Sequence, residues 1–249
     1  VVIAIESGPR VVMLHSPGQN LLLGALPAAD FERLRPRLAL VELSLGEALY
    51  EPGVTIHSAF FPIDSIVSLL YVMTNGASAE IGIVGREGVI GVSLFMAGES
   101  TPSRAVVQSS GYAYRLAGAV VRDEFERGGA MQHLLLRYTQ SLIAQMAQTA
   151  ACNRHHSVDQ QLCRWLLLSL DRLNSNRLIM TQTLIADMLG VRREGVNEAA
   201  GKLQEANLIT YSRGQITVID RPGLEARTCE CYAALRLETE RLQSAIKIE

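Results

Sequence analysis

Aromatic side chains are scarce, at 5% of 249 residues with a single Trp. That disfavours a surface built to stack the bases of single-stranded nucleic acid. No stretch approaches the ~20 consecutive apolar residues of a membrane-spanning helix, so no membrane partner is expected. The Val-Val-Ile-Ala-Ile start is apolar but short and lacks a basic lead-in. With no initiator Met, it reads as a trimmed start and not as a secretory leader. Four cysteines without such a leader suggest a reducing, cytoplasmic setting. Repeats and low-complexity segments are missing. So is an excess of positive charge, the formal net charge being −2. There is no phosphate-binding glycine loop, no Ser-His-Asp set that can be argued, and no cluster of His and carboxylates in the strand-rich part of the chain. An enzyme is therefore not expected. A cupin-like β-barrel enzyme is the cross-class alternative, resting on fold analogy alone.

What is present centres on residues 181–220, which read as helix, tight turn, helix and β-hairpin. Thr181 can N-cap the first helix. Leu184, Ile185, Met188 and Leu189 recur at helical spacing and predict one apolar face. Gly190 sits where a left-handed residue ends a helix. The second helix is predicted to bury Val196, Ala199, Ala200 and Leu203 and to expose Arg193, Glu194, Asn197 and Glu198. A helix fits the major groove of B-DNA with its N-terminal residues at base edges. There Arg pairs with guanine and Glu accepts from the cytosine amino group. Strands Leu208 to Ser212 and Gln215 to Ile219 around Arg213-Gly214 form a wing whose tip brings Arg213 near a phosphate. The expected DNA contacts are Thr181, Gln182, Arg192, Arg193, Glu194, Asn197, Glu198, Lys202 and Arg213. Acids balance bases across 175–220, so affinity must come from charge arrangement, helix N-termini and dimerisation.

Upstream, Asn20 to Arg35 reads as helical, with Pro27 at the start of one helix, Asp30 and Arg33 outward, and Pro36 as the breaker. Residues 38–116 hold short Val, Ile and Leu runs separated by Gly, Pro and Asn, as in antiparallel β-structure. Predicted strands are 38–43, 48–51, 58–62, 65–73, 77–84, 105–109 and 111–116, with Asn75-Gly76 as a hairpin turn. Many strands without interleaved helices indicate a barrel or jelly roll. Ala117 to Arg154 reads as helix with a break at Gly128-Gly129. Its stripe Leu135, Leu142, Met146, Thr149 and Ala150, with Leu134, Leu136 and Ile143 on a second side, calls for two packing partners. One is the β-structure and the other is the same helix of a second chain. Asn153 to Ser157 is the expected hinge, followed by a helix Val158 to Asn174 and, after the wing, a C-terminal helix from Pro222 to about Lys247.

These features resemble the Crp/Fnr family of bacterial transcription regulators. The marks are Arg193-Glu194 at the start of the second helix, Gly46-Glu47 and Tyr50-Glu51-Pro52-Gly53 among the early strands, and the cassette Gly85-Arg86-Glu87-Gly88 to Phe95 followed by Ser103-Arg104-Ala105. Further marks are Cys152-Asn153-Arg154, Arg164-Trp165-Leu166-Leu167 and Cys229-Glu230-Cys231-Tyr232. The resemblance implies an α+β fold: an N-terminal antiparallel, jelly-roll-like β-roll over 20–128, a dimerisation helix and hinge over 129–156, and a winged helix-turn-helix with its C-terminal helix over 157–249. It implies a homodimer on a palindromic double-stranded operator, with RNA polymerase as a further partner. It implies an effector pocket around Gly91, Ser93, Ser103, Arg104 and Met146, and a dimer seam at Leu135, Leu142, Met146 and Thr149. Nucleotide-binding members carry a Glu where this chain has Val92, so the pocket is expected to be degenerate for cyclic AMP. The effector is then an unknown small molecule or none, and no cofactor is required; a cyclic-nucleotide-gated regulator is the alternative. The cysteine cluster of an iron–sulfur centre and the Cys/His pair of a haem site are missing. Cys152 with His155 and His156 could ligate zinc or act as a redox switch. The fourth ligand is not apparent, and Cys229-x-Cys231 lacks a partner pair, so the expectation is no metal.

Overall fold

The computed structural model describes residues 15–173 and 175–244, with side chains as far as Arg241. The expectations for Val1 to Ile5, Asn174, the side chain of Leu242 and a helix end near Lys247 fall outside the described residues. The helical stretch expected over 20–35 forms two helices, α1 (Leu21–Gly24) and α2 (Ala28–Leu34), the second starting after Pro27 as expected. Pro27 separates them in an extended conformation, having no N–H to continue a helix. Asn20 is fully buried and fully used. Its Oδ1 accepts from the amides of Leu22 and Leu23, and its Nδ2 donates to the carbonyls of Pro62 and Gly88, each at 2.9 Å. One side chain thus caps α1 and ties it to the β-structure.

Seven antiparallel strands follow: β1 (Ala39–Leu43), β2 (Ala48–Tyr50), β3 (Ser58–Pro62), β4 (Ile66–Val72), β5 (Ser78–Val84), β6 (Ser103–Ser109) and β7 (Gly111–Ala117). They form two sheets, ordered β1-β7-β3 and β2-β6-β4-β5. All seven predicted strands are present within two residues of their expected ends. Asn75-Gly76 lies in the β4–β5 connection, with Gly76 at φ 84° and Asn75 Oδ1 accepting from the amide of Ala77. A first core gathers Leu43, Phe61, Leu69, Val107 and Leu116 from both sheets with Leu23 and Leu135 from the helices. The continuous apolar run of β4 has a cause. Val67 and Leu69 face this core, while Ile66 and Leu70 face a second one formed with the C-terminal part of the chain.

Helix α3 (Gly118–Arg127) ends at Gly128 and Gly129, both at positive φ, and α4 (Ala130–His155) begins, so the expected break is where the glycines placed it. The seam expected on α4 is a correction. Leu135, Leu142 and Thr149 are buried within the chain, and Met146 is partly buried against the first core. Leu135, Leu142 and Thr149 are thus closed to a second copy, while Met146 keeps part of its surface exposed. The exposed apolar positions of the same helix are Leu136 and Ile143, the latter 59% exposed, with Ala147 and Ala150 continuing the line. The 3.6-residue repeat turns these roughly 100° away from Leu135 and Leu142, onto the adjacent side of the helix.

The remainder is α5 (Val158–Leu170), β8 (Arg177–Ile179), α6 (Gln182–Leu189), α7 (Arg193–Glu205), β9 (Ile209–Ser212), β10 (Gln215–Val218), α8 (Arg221–Arg227) and α9 (Glu230–Ser244). Ser157 caps α5 with Gln160 in a capping box. Helix α5 stops at Leu170, four residues short of the expected end. The wing has a third strand that sequence reading missed, since β8 pairs with β10. The single C-terminal helix expected from Pro222 is broken at Thr228, whose backbone is extended. Trp165, Met188, Val196, Leu203, Ile216 and Leu224 share their core with Ile66, Leu70 and Ile83 of the β-roll. The helix-turn-helix is therefore docked on the outer face of β4 and β5. The Gly85-Arg86-Glu87-Gly88 cassette packs closely on both sides, against α4 at Gly88 and against the segment after α5 at Gly85. A Cβ at Gly88 would lie 2.3 Å from the Tyr138 ring, and one at Gly85 would lie 2.8 Å from Cγ of Arg172.

Candidate nucleic-acid interface

The N-termini of α6 and α7 and the wing tip converge on one exposed face. Thr181 Oγ1 accepts from the amide of Leu184 at 3.3 Å and caps α6. Gly190 takes the left-handed conformation, φ 65°, and ends it. Ile185, Ala186, Met188 and Leu189 form the buried face; Leu184, expected among them, is 38% exposed. Val196, Ala199, Ala200 and Leu203 are buried beneath α7 as expected. Arg193, Glu194, Asn197, Glu198 and Lys202 all stand in solvent. Arg192 occupies the N-cap position of α7 without capping it, so its backbone amides are left without a side-chain acceptor.

Three contacts order this face. Gln182 Nε2 donates to Asn197 Oδ1 at 2.9 Å, and Arg193 Nε reaches Gln182 Oε1 at 3.4 Å. Gln182 therefore sets the relation of α6 to α7 and orients the Arg193 side chain. Lys202 Nζ lies 2.7 Å from Glu198 Oε1, one turn away on the same helix. The hydrogen bond from Lys202 holds the Glu198 carboxyl below the usual range, and Glu198 raises the Lys202 ammonium. Among the described residues, Arg192, Glu194 and Arg213 form no ion pair. The wing turn is Arg213-Gly214, both at positive φ (51° and 76°), the signature of a hairpin turn matched to strand twist. Arg213 therefore occupies a position that glycine or asparagine usually fills. An open cleft of 310 Å³ lies between these parts, lined by Thr181, Gln182, Thr183, Arg193, Tyr211, Ser212, Arg213 and Gly214. Tyr211 was not expected. Its hydroxyl donates to the Met180 carbonyl at 2.9 Å and binds the wing to the entry of α6.

The expected effector residues divide. Gly91, Ser93, Ser103 and Met146 line one cavity of 300 Å³ with Tyr50, Leu69, Val89, Ile90, Thr101, Thr139 and Leu142. Arg104 does not. On β6 the side chains alternate, Ser103 inward and Arg104 outward, where Arg104 pairs with Glu51 at 3.0 Å. The expectation of an anion ligand at Arg104 is corrected by that register. Among the described residues, no charged side chain lines the cavity. The buried hydroxyl of Ser93 has no protein partner, and burial raises the Tyr50 phenol above its usual range.

Residues 160–227 match the family model described as the Crp-like helix-turn-helix domain. Among solved structures, one described as a Crp/Fnr-family transcriptional regulator from Eubacterium rectale superposes with a TM-score of 0.66 at 15% identity, covering 82% of this chain and 96% of that one. FixK2 from Bradyrhizobium japonicum gives 0.64 at 14% identity, covering 77% and 98%. The c-di-GMP-responsive global regulator CLP of Xanthomonas campestris gives 0.63 at 14%, covering 78% and 100%. Among curated proteins none matches the chain. Residues 160–227 thus belong to the Crp-like helix-turn-helix domains, carried here in a chain with the α+β fold of the Crp/Fnr regulators.

Proposed function

We propose that the chain is a homodimeric, cytoplasmic transcription regulator that reads a palindromic double-stranded operator and acts with RNA polymerase, without enzymatic activity of its own. The observation that carries this reading is the exposed start of α7 beside the cleft of the wing. Arg193 and Glu194 sit where a recognition helix meets base edges, and Arg213 sits where a wing meets the sugar–phosphate backbone. The uncapped amides at the start of α7 suit a phosphate oxygen. A single such helix reads one half-site; two copies joined along Leu136, Ile143, Ala147 and Ala150 of α4 would read two. The same line supports dimerisation, because Ile143 and Leu136 are large apolar residues left in solvent on a long helix.

The cavity beside α4 supports a sensor role for a neutral, largely apolar effector. A cyclic nucleotide needs a cation at its phosphate, and Arg104 is turned away and paired. Ile143 and Met146 border the cavity on α4, so an occupant would touch the helix that joins the two copies. Selection of bound sites from random duplex DNA, with sedimentation of the protein alone, tests the reading. The expected result is a dimer that enriches an inverted repeat. A monomer with no preferred duplex would overturn it. Calorimetry with cyclic AMP and cyclic GMP tests the pocket, with no micromolar binding expected.

A further inference from the structure

At the C-terminal end of α4, four side chains from two distant parts of the chain converge. Cys152 is on the last turns of α4 and His156 is its C-cap. Cys229 precedes α9, and Cys231 is in its first turn. The break at Thr228 that divides α8 from α9 delivers the last two. Cys152 Sγ lies 3.6 Å from Cys229 Sγ, and Cys231 Sγ lies 3.5 Å from His156 Nδ1. All four donor atoms lie within 4.8 Å of one another. The three sulfurs are buried and form a small cluster of their own, apart from both large apolar cores.

We propose that these four residues are a closed site for one divalent zinc ion. Zinc bonds of about 2.3 Å to sulfur and about 2.05 Å to nitrogen, in a tetrahedron, require S···S edges of about 3.8 Å and S···N edges of about 3.6 Å. The Cys152–Cys229 and Cys231–His156 separations already stand near those edges. Four donors this close enclose a single ion and leave no room for the bridging sulfides of an iron–sulfur cluster. Four protein ligands also leave no open position, which makes the site structural and not catalytic.

The surroundings fit a bound metal. His156 presents Nδ1 to the sulfurs, while its Nε2 lies 3.2 Å from Glu230 Oε1. That carboxylate would fix the tautomer that leaves Nδ1 free to ligate. Gln148 Nε2 donates to Cys231 Sγ at 2.9 Å, as an outer partner of a thiolate does. The negative end of α4 points at the cation and the positive end of α9 at the sulfurs. Three thiolates on zinc carry one net negative charge. The guanidinium of Arg164, 3% exposed and hydrogen-bonded to Thr149 one turn before Cys152, supplies the opposite charge. The ion would fasten α9 to the end of α4, at the joint between the β-roll and the DNA-binding domain.

The test uses the full chain purified under reducing conditions. About one zinc per chain is expected by elemental mass spectrometry, and cobalt(II) in its place should give the intense visible bands of a tetrahedral thiolate site. Cys229→Ser and His156→Ala should lower the bound metal at least about tenfold, since each removes a ligand. Cys163→Ser, which alters a buried cysteine outside the cluster, should leave it unchanged. Should the variants fail to fold, the wild type still decides: a chelator must speed modification of Cys152, Cys229 and Cys231 over that of the zinc-loaded protein and make α9 easier to proteolyse. Reduced wild-type protein that takes up neither metal stoichiometrically would overturn the proposal. So would a Cys152–Cys229 disulfide whose reduction restores no metal uptake.

Discussion

Arg172 Nε lies 2.6 Å from Glu87 Oε1, joining the end of α5 to the glycine cassette of the β-roll. Both side chains are largely shielded, at 9% and 16% exposure. Arg172 also donates to the Leu168 carbonyl at 2.7 Å, so its fork is fixed from both sides. Removing one member leaves the other shielded and unpaired, which costs roughly 3 kcal/mol. Arg172→Ala and Glu87→Ala should each lower stability by about that much in chemical denaturation, and the double variant by less than the sum. Additive losses would mean the pair does not act as a unit.

A second link across the same boundary depends on pH. Glu80 is buried between β5 and α5; it accepts from Ser68 Oγ at 2.6 Å, and Ser68 in turn meets Gln108, which donates to Ser169. Burial raises the Glu80 carboxyl to about 7, against smaller lowering effects from Ser68, Arg164, Trp165 and Arg172. A folded-state value above the unfolded one means the native protein holds the proton more tightly. The stabilisation is complete below about 4.5 and is lost as pH rises through about 7. Glu80→Gln mimics the protonated form. It should flatten the fall in stability between pH 5 and 8, an effect of up to roughly 3 kcal/mol, and leave the protein more stable than wild type at pH 8. Parallel pH profiles for the two proteins would rule out Glu80 as the titrating group.

The α4 faces separate by experiment. Ile143→Glu places a charge on the exposed stripe and should convert a dimer to monomers in sedimentation, with the fold intact by circular dichroism. Leu142→Ala empties a position in the first core and should cost about 2–5 kcal/mol of stability without changing the association state. The reverse pattern would return the seam to the Leu142 side.

Period-2 and period-3.6 patterns made the strands, the helix-turn-helix and the wing legible, because each rests on local chemistry such as Thr181, Gly190 and Asn75-Gly76. Sequence could not say which of two apolar faces of α4 meets its own β-roll. Leu135 and Leu136 differ by one position and only tertiary packing tells them apart. Nor could it give the register of β6, where one residue decides between Ser103 and Arg104. Strand β8 was too short to register, although Arg177-Leu178-Ile179 alternates. Both halves of the cluster of three cysteines and a histidine were visible, but their meeting was out of reach because they are 73 residues apart at their nearest, His156 to Cys229. The helix break at Thr228 carried no glycine or proline to announce it.

The DNA face yields the sharpest separation of roles. Among the described residues, Arg193 meets Gln182 only at 3.4 Å and Glu194 forms no ion pair, which leaves polar groups of both for base edges. Arg193→Ala and Glu194→Ala should each relax preference at one operator position by about 1–3 kcal/mol. Arg213, at the wing tip, should act on phosphate alone. Arg213→Ala should weaken all duplexes about equally and reduce the salt slope by about 1. Lys202 is a different case, because its ammonium is engaged by Glu198 at 2.7 Å. A cation already neutralised releases fewer counterions on meeting DNA. Glu198→Gln should therefore tighten binding to every sequence and steepen the salt dependence, while Lys202→Ala alone should change less than Arg213→Ala. Binding isotherms at several salt concentrations, on an enriched site and on a scrambled one, distinguish these outcomes. A selected motif unchanged by Glu194→Ala would show that α7 is not the helix that reads the bases.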